Sequence, residues 1–278
     1  MQRAFSRFVG VDLGGGRGKT TAVAELRMGP GGTAEVIEVA TRAGKLPWTD
    51  DTLIGRLAIP DPNRVIAVDA PLTQTACGRC TEPVCPGSEA CADPAVVWLR
   101  TTGRQLMQKV AAETVGGTSR PTLAPPQARL QPYAHRATDV VMTYQRGLLP
   151  FSSLGAANSA ITARAGQLRR RLRGAGYQLH GNLLEVSPAA TIAALCGPRA
   201  ARGYKRDADP WVTRAQVLER FDDLSFAPQS RMAREDVLRN DHCFDAVISA
   251  YTAFLWARDG WESPTGVFAE DGWIFSPP

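Results

Sequence analysis

The stretch Arg7-Phe-Val-Gly-Val-Asp-Leu13 is an apolar run that closes on an acid, and it decides the fold class. A Gly-rich turn over residues 14–18 follows it, and residues 20–26 have the composition of a returning strand. After a second Gly-rich turn, residues 34–41 predict a third strand. The chain is therefore expected to open with an antiparallel meander.

Outward from this meander, strands and helices alternate. Arg64-Val-Ile-Ala-Val-Asp69 is a second buried strand that ends at an acid, and residues 241–258 predict an amphipathic helix with a 3.6-residue apolar period. Further helices are predicted over residues 50–57, 96–115, 137–144, 156–172 and 211–221, and a short strand over residues 182–186. This pattern indicates an α/β fold. We predict a single domain over residues 1–278, with a Cys-rich insertion over residues 73–95.

Composition excludes several classes of protein. The chain has 278 residues, a formal net charge of +5 and an ordinary apolar content of 44%, so wholesale disorder is not expected. No run is long enough for a membrane helix, and no signal-peptide core is evident. We therefore expect a cytoplasmic protein without a membrane partner. The mild positive charge permits nucleic-acid binding but does not require it.

Acidic residues stand at the ends of predicted strands. Asp12, Asp69 and Glu185 each close an apolar run, which places them at the carboxyl edge of a sheet, where α/β folds carry their chemistry. Asp241 and Asp245 lie four residues apart and so share one face of the last helix, although Asp241 is also a candidate cap. Because isolated buried carboxylates are costly, the set predicts a shared cation.

The chemistry that needs such a set is metal-assisted hydrolysis of phosphodiesters. Mg²⁺ and Mn²⁺ prefer oxygen ligands, and two such ions can hold the attacking water and the leaving oxygen. We predict that Asp12, Asp69, Glu185, Asp241 and Asp245 form this site. His242 is a candidate to assist it, with a packing or surface role as the alternative.

Four of the six cysteines fall in one short stretch, Cys77-x2-Cys80-x4-Cys85-x5-Cys91. This spacing is close to a zinc knuckle, with Cys in place of His and one extra residue, and Gly and Pro residues supply tight turns. It predicts a closed structural Zn²⁺ site. An iron–sulfur cluster is the alternative, as is a segment without metal.

Several segments together resemble domain-of-unknown-function family 429, whose members are predicted nucleases with a ribonuclease-H-like fold. They occur in the family's order and span most of the chain. The segments are Gly10-Val11-Asp12, Ala67-Val68-Asp69-Ala70-Pro71-Leu72, Arg136-Ala137-Thr138-Asp139, Leu184-Glu185-Val186-Ser187-Pro188-Ala189-Ala190, Tyr204-Lys205 and Asp241-His242-Cys243-Phe244-Asp245-Ala246-Val247.

The resemblance implies a ribonuclease-H-like mixed sheet flanked by helices. It implies Asp12 on the first strand before a hairpin, Asp69 on a central strand, and Asp245, with Asp241, on the final helix. It also implies that Glu185 and the Arg136/Asp139 pair lie near the same cleft. The Cys-rich stretch is not part of the family's pattern, and we treat it as a metal-binding insertion.

The sequence therefore predicts a Mg²⁺- or Mn²⁺-dependent nuclease that acts on nucleic acid. Lys19, Arg136 and Lys205 are the candidates to neutralise phosphate oxygens. Two alternatives stay open. The loop from Gly14 to Lys19 resembles the phosphate loop of actin-like ATPases and sugar kinases, in which Lys19 would contact ATP and Asp12 would hold Mg²⁺. The chain could also be a catalytically inactive nucleic-acid-binding module.

Overall fold

The structure is a computed structural model that forms two compact units. It describes residues 3–15, 20–115, 130–148, 152–153, 158–228, 230 and 232–278. The first unit comprises Met1–Leu72, Ala160–Glu262 and Phe275–Pro278, and the second comprises Thr73–Ser159 and Ser263–Ile274. The second unit begins at the residue predicted to open the Cys-rich insertion, but it extends well beyond residue 95.

The elements found agree closely with the predicted meander and with most predicted helices. The strands are β1 (Arg7–Asp12), β2 (Ala22–Met28), β3 (Ala34–Ala40), β4 (Arg42–Ala43), β5 (Leu46–Pro47), β6 (Arg64–Asp69), β7 (Leu183–Val186), β8 (Leu224–Phe226) and β9 (Ile274–Phe275). The helices are α1 (Asp50–Leu57), α2 (Ala76–Arg79), α3 (Pro94–Trp98), α4 (Arg104–Val115), α5 (Ala137–Arg146), α6 (Ser159–Gly174), α7 (Pro188–Cys196), α8 (Pro198–Arg206), α9 (Pro210–Leu218), α10 (Arg234–Arg239), α11 (Asp241–Asp259) and α12 (Phe268–Asp271).

A seven-stranded mixed sheet organises the fold, with the order β8-β3-β2-β1-β6-β7-β9. The first three strands form the predicted antiparallel meander. β6 pairs in parallel with β1, and β7 pairs in parallel with β6. β8 pairs in parallel with β3 at the other side. The structure is thus an α/β fold with a mixed sheet flanked by helices, as predicted.

One face of the sheet packs against α1 and α6. Alternate residues of β1 and β6, such as Val9, Val11 and Val68, form a buried core with the apolar side chains of these helices. α1 begins at Thr49, which exchanges side-chain hydrogen bonds with Thr52 in a capping box. Asp50 and Asp51 occupy the first turn, where negative charge interacts favourably with the helix dipole.

The other face of the sheet packs against α11, and one glycine sets the spacing. A Cβ atom at Gly10 would lie 2.0 Å from the carbonyl oxygen of Ala246 and 2.4 Å from the amide nitrogen of Ala250. Those distances are far below van der Waals contact, so the helix backbone rests directly on β1 because residue 10 has no side chain. The small residues at 246 and 250 complete this close approach.

The prediction that α11 is amphipathic was wrong. The helix limits agree within one residue, but every residue from Cys243 to Ala257 is buried. β1, β2, β3 and β6 lie against one side of α11, while α7 and α10 cover others. A helix surrounded in this way is buried on all sides rather than along one stripe.

Helical structure also occurs where the sequence predicted none or predicted it differently. α8 is rich in charged residues and follows Gly197, which has a φ of +89°. The helix predicted over residues 96–115 is instead α3 and α4 joined by a π-helical segment, Leu99–Gly103. None of the helices in the described ranges has the length and apolar content needed to cross a membrane.

The second unit is built around α3, α4, α5 and α12. The ring of Phe268 makes edge-to-face contacts with Trp98 and Trp273, with centroids 5.8 and 5.1 Å apart. A buried ion pair joins Arg136 and Asp139 at the start of α5. The second unit therefore contains an aromatic cluster and a buried ion pair.

We expect Gly10→Ala to destabilise the protein by about 1–3 kcal/mol, because the added methyl group must push α11 away from β1. Chemical denaturation with an unchanged m-value would measure the loss. Gly55→Ala is the matched control. Gly55 lies on the exposed side of α1 with no atom near its missing Cβ, so alanine there should stabilise by about 0.5–1 kcal/mol. Equal effects at both positions would contradict the close approach at Gly10.

Candidate metal centre

Asp12 and Asp69 lie side by side at the ends of two parallel strands. β1 and β6 pair in register along their whole length, so that Asp12 and Asp69 are direct partners across the ladder. Side chains alternate along a strand, and Gly10 faces α11. Asp12 and its partner Asp69 therefore share the α11 face at the carboxyl edge.

Asp245 reaches the same edge from the start of α11. The helix begins at Asn240, whose side-chain oxygen accepts a hydrogen bond from the Cys243 N–H at 3.1 Å. Asn240 is therefore the cap, and Asp241, the candidate from the sequence, occupies the first turn. The carbonyl group that lies over Gly10 belongs to Ala246, the residue after Asp245, so the same close approach brings Asp245 to the strand ends.

The three carboxyl groups form one cluster, which we call the acid triad: Asp12, Asp69 and Asp245. One oxygen of each lies within 4.8 Å of an oxygen of the others. Within the described ranges, it is the one group of three or more His, Cys, Asp or Glu side chains gathered in this way. The structure thus brings together three of the five acids predicted from the sequence.

Asp245 makes the strongest case for a cation. It is fully buried, its Oδ1 has no hydrogen-bond partner among the described residues, and its Oδ2 forms an ion pair with Lys205. A buried carboxylate with so few partners is costly, which favours a further positive charge at the site. Carboxylate oxygens from three separate elements match the ligand preference of Mg²⁺ or Mn²⁺, so the triad fits a hard divalent cation.

The charges of the triad oppose one another. Burial raises the pKa of Asp69 well above its usual range, and the neighbouring carboxylates of Asp245 and Asp12 raise it further. Burial also raises the pKa of Asp245 to about 6, although Lys205 partly offsets this effect. Without a cation the cluster therefore stores repulsion, which a divalent ion would relieve.

Lys205 supplies the one organic cation described at the triad. Its Nζ forms an ion pair with Asp245 Oδ2, and 41% of its side chain is exposed. Burial lowers the pKa of Lys205, but Asp245 and Asp69 more than offset it, so the pKa lies above its usual value. The neighbouring Tyr204 is buried, and burial with the same acids raises its pKa well above the usual range. Lys205 is thus held as an ammonium at the rim of the site.

His242 is a further neighbour of the triad. Its Nδ1 lies 2.5 Å from Asp12 Oδ2. The hydrogen bond to Asp12 raises the pKa of His242, and burial lowers it less strongly. In the sequence, the one indication of a role for His242 is that it lies three residues before Asp245 in the predicted helix. Its contact with Asp12 depends on the packing of α11 on β1.

Glu185 lies on the opposite face of the sheet. It pairs with Val68 across the β6–β7 ladder and so shares the face of Val68, not that of Asp69. Its Oε2 accepts a hydrogen bond from the Leu72 N–H at 2.8 Å. Neither Glu185 nor Asp241 belongs to the acid triad, and catalytic roles for them stay predictions.

The other predicted phosphate contacts are placed differently. Lys19 lies outside the described residues, as does the rest of the loop over residues 16–19. Arg136 belongs to the second unit, where it is buried. Its Nη2 and Nε donate to Asp139 at 2.8 and 3.1 Å, and its Nη1 donates to Thr73 at 2.8 Å. These bonds give Arg136 a structural part at the start of α5.

The four clustered cysteines lie in the second unit. Cys77, Cys80 and Cys85 are exposed, and Cys91 is half-buried. No three of these sulfurs lie within 4.8 Å of one another in the described structure. They therefore do not form a preassembled ligand set, and a metal there stays a prediction.

Comparison with known proteins identifies a family. The family model described as "Protein of unknown function (DUF429)" matches residues 10–267. The matched interval contains the whole acid triad and Lys205. No curated protein and no solved structure matches the chain.

We expect Asp69→Asn to stabilise the metal-free protein by about 1 kcal/mol or more, because it removes one of three repelling charges. In the wild type, Mn²⁺ at 100 times its Kd should raise the free energy of unfolding by about 2.7 kcal/mol. The Asp69→Asn variant should lack this stabilisation by Mn²⁺. Thermal unfolding with EDTA and with Mn²⁺ measures both effects.

Asp209→Asn is the control, since Asp209 is an exposed acid at the start of α9. It should leave the response to Mn²⁺ intact. If Mn²⁺ stabilised the Asp69→Asn variant as much as the wild type, Asp69 would not be a ligand of the ion.

Proposed function

Because the chain belongs to the DUF429 family, we propose that it is a Mg²⁺- or Mn²⁺-dependent phosphodiesterase that cleaves nucleic acid, with a ribonuclease-H-like fold. The observation that carries the proposal is the acid triad, in which three carboxyl groups meet, Asp245 is fully buried, and Lys205 is the one described ammonium paired with it. Such an arrangement costs stability and is explained by a cation that the site is built to bind.

The placement of the acids supports this reading of the fold. The family resemblance implies Asp12 on a strand before a hairpin, Asp69 on a neighbouring strand and Asp245 on a late helix. In the structure, β1 ends at Asp12 before an antiparallel hairpin, and β6 runs parallel to β1 and ends at Asp69. The long helix α11 carries Asp245. Fold alone does not fix activity. The proposal therefore depends on the chemistry of the site.

Asp12, Asp69 and Asp245 would hold the metal. A divalent ion there would supply the positive charge that polarises a phosphodiester and acidifies water. The chain's own residues would place and stabilise the substrate around it. Lys205, charged and partly exposed beside Asp245, is positioned to donate hydrogen bonds to phosphate oxygens as negative charge develops. His242 would fix the orientation of Asp12.

A labelled panel of single-stranded, duplex and branched DNA and RNA, incubated with Mn²⁺, tests the proposal. Wild type should cleave at least one substrate. Since a lost metal ligand removes several kcal/mol of transition-state stabilisation, Asp12→Asn and Asp245→Asn should each slow cleavage at least about 100-fold. Asp209→Asn should retain the wild-type rate.

Cleavage that persists at the wild-type rate in both triad variants would refute these acids as catalytic. If no sample cleaves any substrate, the alternatives become the better hypotheses. ATP-dependent stabilisation would then favour the actin-like ATPase or kinase, and nucleic-acid binding without cleavage would favour the inactive module.

Lys205→Met separates metal binding from phosphate contact. We expect the Mn²⁺-dependent stabilisation to persist, because the three carboxylates remain, while cleavage falls about 10- to 1000-fold with the lost cation. Lys45→Met, at an exposed position between β4 and β5, is the matched control and should change neither quantity. Wild-type cleavage by Lys205→Met would exclude a role for Lys205 at the phosphate.

A further inference from the structure

The segment that carries the cysteines has a defined path without a hydrophobic core. All residues from 81 to 90 are exposed, and Val84 is 78% exposed. Burial of apolar surface cannot offset the conformational entropy lost in ordering such a segment. Another constraint is needed to hold it.

Turns and one arginine set the path of the chain here. The Cys91 N–H donates to the Gly87 carbonyl at 2.9 Å, and Gly87 adopts a φ of +84°, which favours glycine. Arg100 Nη1 donates to the carbonyls of Ser88 and Glu89 at 2.8 and 2.6 Å. The chain is thereby folded back from Cys85 toward Cys91.

The two ends of the cysteine stretch meet on a small core. Cys91 packs against a buried cluster of Ala76, Ala95 and Val96. Ala76 begins α2 and directly precedes Cys77. The cysteines at the two ends of the stretch therefore lie beside the same small core.

We propose that Cys77, Cys80, Cys85 and Cys91 bind one structural Zn²⁺ ion in a site separate from the acid triad. Four thiolates around one ion make the closed tetrahedral coordination of structural zinc. With Zn–S bonds of about 2.3 Å, the sulfurs lie about 3.8 Å apart. Since the described sulfurs are more widely spread, binding must draw them together, as in sites where metal binding and folding are coupled.

The contacts of Arg79 indicate what the ion stabilises. Arg79 lies between the first two cysteines, and its Nη1 donates to the buried carboxylate of Asp271 at 2.6 Å. The other oxygen of Asp271 accepts from the Ala137 N–H, the first residue of α5. Fixing α2 through Cys77 and Cys80 therefore fixes the arginine that pairs with Asp271 inside the second unit.

Metal analysis of the full-length protein, purified under reducing conditions and reconstituted with Zn²⁺, tests the proposal. We expect about one zinc per wild-type chain, and visible absorption bands of tetrahedral Co²⁺–thiolate after cobalt exchange. Cys80→Ser and Cys85→Ser, both at exposed positions, should lose the zinc and the cobalt bands. Cys196→Ser, outside the stretch, is the matched control and should retain both.

A second measurement uses the unmodified chain. Cys77, Cys80 and Cys85 should react rapidly with a thiol reagent after zinc is removed and slowly while it is bound. Wild type without zinc after reconstitution, or equal thiol reactivity with and without Zn²⁺, would overturn the proposal. Brown protein with acid-labile sulfide would also overturn it, in favour of an iron–sulfur cluster.

Discussion

The direct contact of the α11 backbone with Gly10 is the constraint on which the first unit depends. A side chain at that position would separate helix and sheet, because its Cβ would lie 2.0 Å from the Ala246 carbonyl. The contact buries α11 from Cys243 onward and completes the core on this face of the sheet. It also determines the position of Asp245 relative to the strand ends. Core packing on this face and assembly of the acid triad therefore depend on the same contact.

The contact of α11 with Gly10 stabilises the fold, whereas the acid triad that it assembles destabilises it. Three carboxyl groups are held together, and burial and neighbouring acids raise the pKa values of Asp69 and Asp245. One ammonium, Lys205, pairs with Asp245, and His242 contacts Asp12. A fold tolerates such a cost where function requires it. The packed helix above and the in-register strands below prevent the carboxylates from moving apart.

Much of this arrangement was predictable from the sequence, because its determinants are local. Asp12 and Asp69 each end an apolar run, and parallel neighbours bring such ends together without further information. Glu185 shows where this reasoning fails. The sequence predicts that Glu185 lies at a strand end. The face of the sheet on which Glu185 lies depends on the register of β7 against β6, which no local pattern specifies. The contact between His242 and Asp12 depends likewise on how α11 lies on the sheet. The sequence did not predict that α11 is buried on all sides, because the spacing of apolar residues does not show how many sides of a helix are covered by other elements.

The order of the chain has a consequence for biosynthesis. The triad joins β1, near the start of the sequence, to α11, which is translated more than 200 residues later. Until α11 leaves the ribosome, the sheet face at Gly10 has no cover, and its apolar strands are open to aggregation or to a chaperone. A nascent chain whose α11 has not yet left the ribosome cannot hold the complete acid triad. The long sequence separation thus delays assembly of the acid triad until α11 has been synthesised.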